Sequence, residues 1–390
     1  MKAFNKIVLL LLMTAGLVST FLSCKKNDNS NTPSINYVRV TKPESSDSLL
    51  IGAGQGQLIA IVGNNLKEAV QVWFNDQQAN LTPTYITNTS LLVSVPSQIP
   101  ATVNNKLKII FKSGYELLYD FQVQISKPTV TSMLSEFVND GNVATINGNY
   151  FYAPLTVTFT GGVTGTIVDR KDMQLQVQVP AGAQPGPITI KTNFGEVTST
   201  FWFRDNRNHV IDADPVEGWW NAYVITNPNS SNGDPVKISG NYYRFKKVLQ
   251  PWVWDSPEVG GGPASSMPNH SKNIPDAAIL NPADYNVKFE VNTLKPYNKS
   301  RVVLNVGLSA PPGVTDESQA QDNNGYVWQP PYDTKGQWQT VTIPYNELVA
   351  SYARKPVVNP NGYWNRILIF GGDDFDADIC FDNLRVVPKK

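Results

Sequence analysis

A set of short apolar segments occurs twice in the first half of the chain, at a nearly constant interval. Leu58–Leu66 (LIAIVGNNL) matches Val143–Phe151 (VATINGNYF), so that Gly148 lies 85 residues after Gly63 (148 − 63). Two further pairs keep the same order and spacing: Val70–Phe74 with Leu155–Phe159, and Leu92–Pro96 with Gln176–Pro180. An interval of this length indicates a duplicated domain, because solenoid repeats are shorter, at roughly 20–50 residues.

Each of the two units consists of short β-type runs separated by turn residues. Apolar and polar residues alternate within the runs, and no segment of the chain keeps a helical period for three turns. About seven such strands per unit predict an immunoglobulin-like sandwich. We therefore predict an all-β protein whose first two sandwiches span residues 35–126 and 127–204.

The pattern changes at Arg204–Val210 (RDNRNHV), where the second unit ends. The remaining residues, 205–390, are too many for a third unit and suit a larger sandwich of the jelly-roll type. Its clearest predicted strands are Val287–Val291, Val302–Leu308 and Thr340–Ile343. The expected fold is thus two tandem Ig-like sandwiches followed by a jelly-roll-like β-sandwich.

The N-terminal residues have the composition of a secretory signal. Two lysines precede an apolar run, and small residues come directly before Cys24. Because Phe21–Cys24 (FLSC) is similar to a lipoprotein signal-peptidase box, we predict a signal peptide over 1–23 and lipidation of Cys24. The alternative is an ordinary signal peptide followed by an unmodified cysteine. The polar residues 24–34 predict a flexible tether.

Charge and cysteine content limit the classes of ligand and the source of stability. The chain has 32 Lys+Arg and 32 Asp+Glu, a balance that argues against nucleic acid as a partner. Low charge with many Asn, Thr, Ser and Tyr favours a neutral polar ligand. Cys24 and Cys380 are the two cysteines, so hydrophobic cores must hold the domains together. Cys380 lies in a strand-like run and is predicted to be buried.

Reactive side chains are sparse. His209 and His270 are the two histidines, and no Gly-x-Ser-x-Gly, paired-His or Cys-His motif accompanies them, so neither a catalytic triad nor a zinc site is expected. A glycoside hydrolase would instead need two opposed carboxylates. Two such pairs remain open as an alternative: Glu290 with Glu347, and Asp255 with Glu258.

An acid-dense segment follows two glycines near the C-terminus. Asp373–Asp378 (DDFDAD) offers carboxylate oxygens of the kind that Ca²⁺ prefers, but it lacks the spacing of an EF-hand loop. A solvated hairpin turn is the favoured interpretation. We expect no cofactor, with a structural Ca²⁺ in this segment as the alternative.

Tryptophans gather beside turn residues in the C-terminal half. Trp252 and Trp254 are two residues apart, which places them on one face of an extended segment, and Pro251 favours an edge or loop position. Trp219–Trp220 lies about one hairpin's length upstream. An indole held in a loop offers a flat apolar platform with one polar group. Such a platform suits the C–H face of a pyranose ring.

We therefore predict a glycan-binding site on the C-terminal domain, while Trp338 and Trp202 are assigned to the cores. The predicted stacking residues are Trp220, Trp254, Trp252 and Trp219, with Trp328, Tyr332 and Trp364 as secondary candidates. The predicted partners of the sugar hydroxyls are Arg244, Asn221 and Asp255.

Several motifs resemble known families. The elements G-N-x-[LF], V-x-F and V-x-V-P occur in this order in both units and resemble the IPT/TIG family. Gly336–Pro344 (GQWQTVTIP) and Ile379–Val386 (ICFDNLRV) resemble strands of carbohydrate-binding jelly rolls. With Cys24 and the segments Ser239–Phe245 and Trp252–Trp254, they resemble the cell-surface glycan-binding lipoproteins of Bacteroidetes polysaccharide-utilisation systems, of the xyloglucan-binding type. Val253 departs from that family, whose aromatic pair has a Tyr there.

The resemblance implies a protein without enzymatic activity that captures polysaccharide through aromatics on its C-terminal domain. It also implies a lipid-anchored, surface-exposed location at the outer membrane, and transfer of the glycan to a SusC/SusD-like transporter complex. The expected glycans are β-glucans such as xyloglucan, followed by β-mannans. The alternatives from other classes are a secreted glycoside hydrolase and a protein-binding adhesin, which would need a broad apolar patch.

Overall fold

The computed structural model describes residues 32–45, 47–253, 255–260, 267–297, 302–309, 325–328 and 332–390. Within these ranges the protein is all-β with two short α-helices, which confirms the predicted fold class. The strands form three sandwiches in chain order, each with its own core. No described helix is long and apolar enough to cross a membrane.

The first sandwich has one three-stranded and one four-stranded sheet. Its strands are β1 (Ser34–Val40), β2 (Gly52–Gly54), β3 (Leu58–Asn64), β4 (Ala69–Phe74), β5 (Gln77–Ala79), β6 (Ser90–Ser94), β7 (Lys106–Phe111), β8 (Glu116–Asp120) and β9 (Gln122–Gln124). The sheet orders are β1-β3-β6 and β5-β4-β7-β8, and β2 pairs with β9 in parallel. Alternation along β4 buries Val72 and Phe74 in the core.

The second sandwich has two four-stranded sheets. Its strands are β10 (Thr129–Met133), β11 (Val143–Asn149), β12 (Leu155–Thr160), β13 (Val163–Thr164), β14 (Thr166–Lys171), β15 (Gln174–Gln178), β16 (Gln184–Thr192) and β17 (Gly195–Phe203). The sheet orders are β10-β11-β15-β14 and β13-β12-β16-β17.

The glycine shared by the two repeated segments has the same role in both sandwiches. Gly63 lies in β3 and Gly148 in β11, each beside the strand that opens its sandwich. A Cβ at Gly63 would stand 1.9 Å from the carbonyl oxygen of Ser34, and one at Gly148 would stand 1.9 Å from that of Thr129. Only glycine allows the two backbones to approach this closely.

The C-terminal domain is a sandwich of one six-stranded and one five-stranded sheet. Its strands are β18 (His209–Ile211), β19 (Trp219–Trp220), β20 (Tyr223–Ile225), β21 (Tyr242–Leu249), β22 (Glu258–Gly260), β23 (Tyr285–Thr293), β24 (Val302–Leu308), β25 (Tyr326–Trp328), β26 (Gln339–Pro344), β27 (Trp364–Ile369) and β28 (Phe375–Pro388). The back sheet has the order β20-β21-β28-β23-β26, with β18 also paired to β28. The front sheet has the order β19-β22-β27-β24-β25.

One apolar core fills the space between the front and back sheets. The back sheet contributes Phe245, Phe289 and Phe381, and the front sheet contributes Leu304 and Ile367. Two α-helices, α1 (Asp276–Leu280) and α2 (Tyr345–Ala350), and four 3-10 turns complete the described elements: Pro43–Ser45, Pro83–Tyr85, Ser230–Asn232 and Pro282–Asp284.

The second sandwich and the C-terminal domain form one compact unit, Ser126–Lys390, whereas Met1–Ile125 forms another. Within the larger unit, the second sandwich covers part of the outer face of the back sheet. The backbone N–H of Thr340 in β26 donates to the carbonyl of Leu134 at 2.9 Å. A backbone hydrogen bond therefore joins β26 of the C-terminal domain to the residue that follows β10 of the second sandwich.

Buried charges cross this junction. The Glu136 carboxylate of the second sandwich contacts both Lys288 in β23 and Arg385 in β28, with Arg385 Nη2 at 2.7 Å. The same Nη2 lies 3.0 Å from Glu290 Oε1. Burial raises the pKa of Glu290, partly opposed by Arg385. Since all four side chains are almost fully buried, the network depends on each of its members.

Candidate functional site

The outer face of the front sheet carries a row of side chains that crosses four strands. Trp220 in β19 pairs with Glu258 in β22, Glu258 pairs with Leu368 in β27, and Leu368 pairs with Val303 in β24. Directly opposed residues of an antiparallel sheet share one side, and the alternate residue Val259 lies in the core. We call this outer surface of the front sheet the platform face.

Trp220 stands at one edge of the platform face with 62% of its surface exposed. A cavity of about 270 Å³ lies beside it, and Trp220, Ser256, Glu258 and Leu368 line it among the described residues. An indole usually buries most of its area on folding, because that area carries a large hydrophobic free energy. An exposed indole beside a cavity is therefore available to a ligand.

Trp252 forms a second exposed indole, in the turn that follows β21. It is 68% exposed and has a left-handed backbone with φ 56°, which costs a non-glycine residue roughly 1–3 kcal/mol. Its N–H donates to the Gly371 carbonyl at 2.9 Å, and its indole packs edge-on against Phe370 with 5.4 Å between ring centroids. Phe370 continues the outward alternation of Leu368, so Trp252 borders the platform face.

A hydrogen bond and an ion pair join the two tryptophan segments. Asn221 Nδ2 donates to Asp255 Oδ1 at 2.9 Å, and Lys247 Nζ lies 2.5 Å from Asp255 Oδ2. The hydrogen bond from Lys247 lowers the pKa of Asp255. The structure thus brings together four of the predicted site residues: Trp220, Trp252, Asn221 and Asp255.

A second charged pair lies on the platform face and was missed as a binding element by the sequence analysis. Arg366 Nη1 lies 3.4 Å from Glu258 Oε2, and Arg366 Nε donates to Asn305 Oδ1 at 3.1 Å. Burial lowers the pKa of Arg366, and Glu258 partly offsets this effect. The available signal was the alternation around the buried Ile367, which places Arg366 and Leu368 on the outward side.

Two secondary stacking candidates are buried, and Trp328 is wrong because its indole lies in the core. Trp328 is 4% exposed and stacks on Tyr297, with 5.4 Å between centroids and an interplanar angle of 14°. Trp364 is equally buried and lies beneath the Arg366 guanidinium. Trp328 pairs with the inward residue Val302 of β24, so its indole faces the sandwich interior. Trp364 lies two residues before Arg366 in β27, so it shares the outward side with Arg366, where it is buried.

Arg244 is also wrong as a partner of sugar hydroxyls. It is buried on the back sheet, where Nε and Nη2 donate to the carboxylate of Asp378 at 2.8 and 2.9 Å. Nη1 donates to Asp234 at 2.6 Å. These ion pairs use the donors of the guanidinium and stabilise its charge, so Arg244 stabilises the fold and does not bind a ligand.

Tyr332 lies apart from the platform face. Its ring packs on the buried Trp328, and its hydroxyl donates to Gln339 Oε1 of the back-sheet strand β26 at 3.1 Å. The predicted core residue Trp338 is buried, and its Nε1 donates to the Val236 carbonyl at 2.9 Å, which confirms that prediction. Trp202 is only half-buried, with the Arg207 guanidinium 3.7 Å above its ring.

Some predicted residues lie outside the described ranges. These are Trp254, Cys24 and the signal peptide over 1–23, together with most of the tether over 24–34. For Trp219 the description is limited to the backbone, which pairs with Val259 in β22.

Three of the four carboxylates proposed for hydrolysis are already paired within the described chain. Glu290 is buried against Arg385 and accepts a hydrogen bond from Thr340 at 2.7 Å. Asp255 is held by Lys247, and Glu258 by Arg366. Glu347 lies in α2, exposed and apart from these pairs. The geometry gives no support to a glycosidase pair beside the exposed indoles.

Both histidines belong to one hydrogen-bonded cluster. His270 is buried between Glu217, 2.7 Å from Nδ1, and Asp212, 2.9 Å from Nε2. His209 Nδ1 lies 2.8 Å from the other Asp212 oxygen. Burial opposes the charged imidazolium, but the bonds to Asp212 and Glu217 prevail and raise the pKa of His270. Because Glu217 precedes β19 and Asp212 follows β18, the cluster joins the front and back sheets.

The described residues contain no group of three or more His, Cys, Asp or Glu arranged to hold a metal ion. In the acid-dense segment, Asp376 pairs with Lys295 at 2.5 Å, and Asp378 pairs with Arg244. A calcium ion in Asp373–Asp378 stays a prediction. Cys380 is buried with a raised thiol pKa caused chiefly by burial, which confirms its prediction as an apolar core residue.

Two family models match this chain. Residues 203–388 match the xyloglucan-binding domain of surface glycan-binding protein B, and residues 51–123 match the IPT/TIG domain. The first match covers the sandwich that carries the platform face, and the second covers most of the first sandwich.

Relatives of the whole chain agree with these matches. A Bacteroides ovatus IPT/TIG domain-containing protein is 30% identical over 253 residues, which cover 58% of this chain and 51% of that protein. The chain thus spans about half the length of this curated relative. The solved structure of surface glycan-binding protein B from Prevotella bryantii is 25% identical, with a TM-score of 0.68 over 92% of this chain and 99% of that one.

The matched family and the solved structure are surface binding proteins by name, and a non-catalytic glycan-binding role fits them. The predictions of carbohydrate binding and of a chain without enzymatic activity agree with these names. With an IPT/TIG match ahead of it, the C-terminal domain is similar over residues 203–388 to the xyloglucan-binding domain of surface glycan-binding protein B, in agreement with the sequence motifs.

Proposed function

We propose that this protein captures polysaccharide at the cell surface on its platform face and performs no chemistry on it. The observation that carries the proposal is the pair of highly exposed indoles, Trp220 and Trp252, at two borders of one sheet face. Stacking on a sugar ring would remove this apolar surface from water. The neighbouring polar groups of Asn221, Asp255 and Glu258 would bond the ring's hydroxyls.

Xyloglucan is the proposed first ligand, other β-glucans come next, and β-mannans follow. The matched domain family is named for xyloglucan binding. A β-1,4-linked backbone is a flat ribbon whose rings expose apolar C–H faces at regular intervals, and two separated indoles can contact such a ribbon at two points. Val253 replaces the Tyr that the sequence resemblance led us to expect, so the platform relies on its tryptophans.

Calorimetric titration of the protein with xyloglucan, mixed-linkage β-glucan and galactomannan tests the proposal. We expect saturable binding to at least one β-glucan, and no reducing ends released during a parallel incubation. Released reducing ends would establish a hydrolase. If the folded protein binds none of the three glycans, the platform face is not a glycan-binding site and the adhesin alternative is favoured.

We further propose that lipidation of Cys24 anchors the protein in the outer membrane. The support is the FLSC segment after an apolar run, followed by a polar stretch. Expression with a labelled fatty acid should label the wild type and leave Cys24→Ser unlabelled and released from the membrane fraction. An unlabelled wild type would contradict the anchor.

A SusC/SusD-like transporter complex is the proposed receiver of the captured glycan. The support is the family resemblance together with the predicted anchor, which would hold both proteins in the same membrane. Co-expression with a defined transporter pair, followed by cross-linking in cells grown on the bound glycan, should give a specific adduct. Glycan uptake that is unaffected by deletion of this protein would contradict the role.

A further inference from the structure

The charges beside the exposed indoles are compensated within the protein. Asp255, next to Asn221, faces Lys247 at 2.5 Å. Glu258, which pairs with Trp220 across the sheet, faces Arg366 at 3.4 Å. Each of these carboxylates has its own cation, so the two pairs add no net charge to the platform face.

In the Glu258–Arg366 pair, two hydrogen-bonding atoms have no partner among the described residues. Among the described residues, Glu258 Oε1 and Arg366 Nη2 make no hydrogen bond, because the contact joins Oε2 to Nη1. The Glu258 side chain is 26% exposed and lines the cavity beside Trp220. Arg366 is fixed from behind by Asn305. A carboxylate with one free oxygen therefore faces the cavity in a set orientation.

We propose that the Glu258–Arg366 pair selects neutral glycans. Glu258 accepts hydrogen bonds from hydroxyls of a sugar ring stacked on Trp220, and the balanced pair disfavours glycans that carry carboxylates. This inference rests on the proposed function, which it deepens from stacking to selection of the ligand's charge.

The physical reason lies in solvation. A hydroxyl donating to a carboxylate makes a charge-assisted bond, which is stronger than a bond between neutral groups. A ligand carboxylate would instead lose its hydration beside Glu258 and be repelled by it, because Glu258 already neutralises the charge of Arg366. Stacking on Trp220 alone would not distinguish the two ligands, since both present the same C–H face.

Glu258→Gln tests the inference because it keeps the size of the side chain and leaves the Arg366 charge without its partner. The probes are a neutral β-glucan oligosaccharide and the same oligosaccharide with its primary alcohols oxidised to carboxylates. We expect the wild type to prefer the neutral probe by at least about tenfold. In Glu258→Gln the neutral probe should bind about tenfold more weakly, and the oxidised probe should bind several-fold more tightly.

Asp376→Asn is the matched control. It removes the same charge from the same domain, at the exposed pair with Lys295 away from the cavity, and it should leave both affinities within twofold of the wild type. The gain of Glu258→Gln for the oxidised probe should also shrink between low and high salt, as screening weakens its attraction to Arg366.

Two results would overturn the inference alone. One is a wild type that binds both probes equally, and the other is a Glu258→Gln variant with an unchanged ratio of affinities. In either case neutral binding that still depends on Trp220 would leave the proposed function in place. A wild type that binds neither probe would remove both the inference and the function on which it rests.

Discussion

The back and front sheets of the C-terminal sandwich both carry charged side chains on their outer faces, and the second sandwich covers those of the back sheet. There, Lys288, Glu290 and Arg385 are buried against the second sandwich. On the front sheet, Glu258 stands beside the exposed Trp220 and a cavity. The same residue types therefore join two domains on one sheet and lie beside a cavity on the other.

The comparison teaches how to separate structural charges from ligand-facing ones. On the back sheet both oxygens of Glu136 and both oxygens of Glu290 have partners. On the front sheet one oxygen of Glu258 bonds Arg366, and the other has no partner among the described residues. Full pairing under a neighbouring domain indicates a role in assembly, whereas partial pairing beside an exposed indole indicates a role in binding.

The largest expected effect is on the back sheet. Arg385→Met would leave Glu136 and Glu290 buried without that cation, so we expect the free energy of unfolding of the larger unit to fall by about 3–5 kcal/mol. Denaturant unfolding followed by tryptophan fluorescence measures this change.

Lys295→Met is the control for that variant, because Lys295 and Asp376 form an exposed pair. It should change the free energy of unfolding by less than about 1 kcal/mol. Equal effects of the two substitutions would mean that the buried network has no special part in joining the domains.

The second effect belongs to the front sheet. Trp220→Ala should weaken glycan binding by about 2 kcal/mol, roughly 30-fold, because it removes a stacking surface at the edge of the cavity. Stability should change little, since the indole is mostly exposed. Tyr223→Ala is the control: Tyr223 is an exposed aromatic of the same domain, but it lies in β20 of the back sheet. Similar losses of glycan affinity in both variants would contradict the assignment of binding to the front sheet.

Variants of Trp252 allow the free-energy cost of its left-handed backbone to be measured. Trp252→Ala and Trp252→Gly should weaken binding to the same degree, by about 1 kcal/mol, because both remove the indole. The glycine variant should nevertheless be more stable than the alanine variant by about 1 kcal/mol, since glycine adopts the left-handed φ without strain. Equal stabilities would show that the turn relaxes when the indole is removed.

The smallest effect concerns the histidine cluster between the sheets. Because the pKa of His270 is raised in the folded protein, its stabilisation is complete below the unfolded pKa of about 6.5 and is lost as pH rises through the folded pKa. Despite its burial, hydrogen bonds from His209 and His270 lower the pKa of Asp212, so Asp212 does not add to the slope between pH 6 and 9. The melting temperature should fall between these pH values by a few degrees more in the wild type than in His270→Asn. Equal dependences of the melting temperature on pH in the two proteins would contradict the raised pKa of His270.

Much of the fold could be predicted because it depends on local pattern. The repeated segments around Gly63 and Gly148 became equivalent strands, and the alternating runs at 287–291, 302–308 and 340–343 became β23, β24 and β26. In each case the side-chain period of two is a property of the strand itself. The position of the glycine is equally local, since it is set by one neighbouring backbone.

The site was only partly predictable because burial depends on distant partners. Trp328 is flanked by turn residues, as Trp220 is, but pairing with Val302 of β24 turns its indole inward. Arg244 is saturated by Asp378, which lies 134 residues away in the chain. Glu258 was considered only as half of a catalytic pair, since nothing near it in sequence indicates Arg366.

The second sandwich has a core of its own and yet belongs to one compact unit with the C-terminal domain. Heat should therefore melt three cores in two cooperative steps, with the second and third cores lost together. A protease that cuts near the Ile125–Ser126 boundary should leave residues 126–390 as one resistant fragment, and that fragment should still bind glycan. The second sandwich would then be part of the structural unit that binds the glycan.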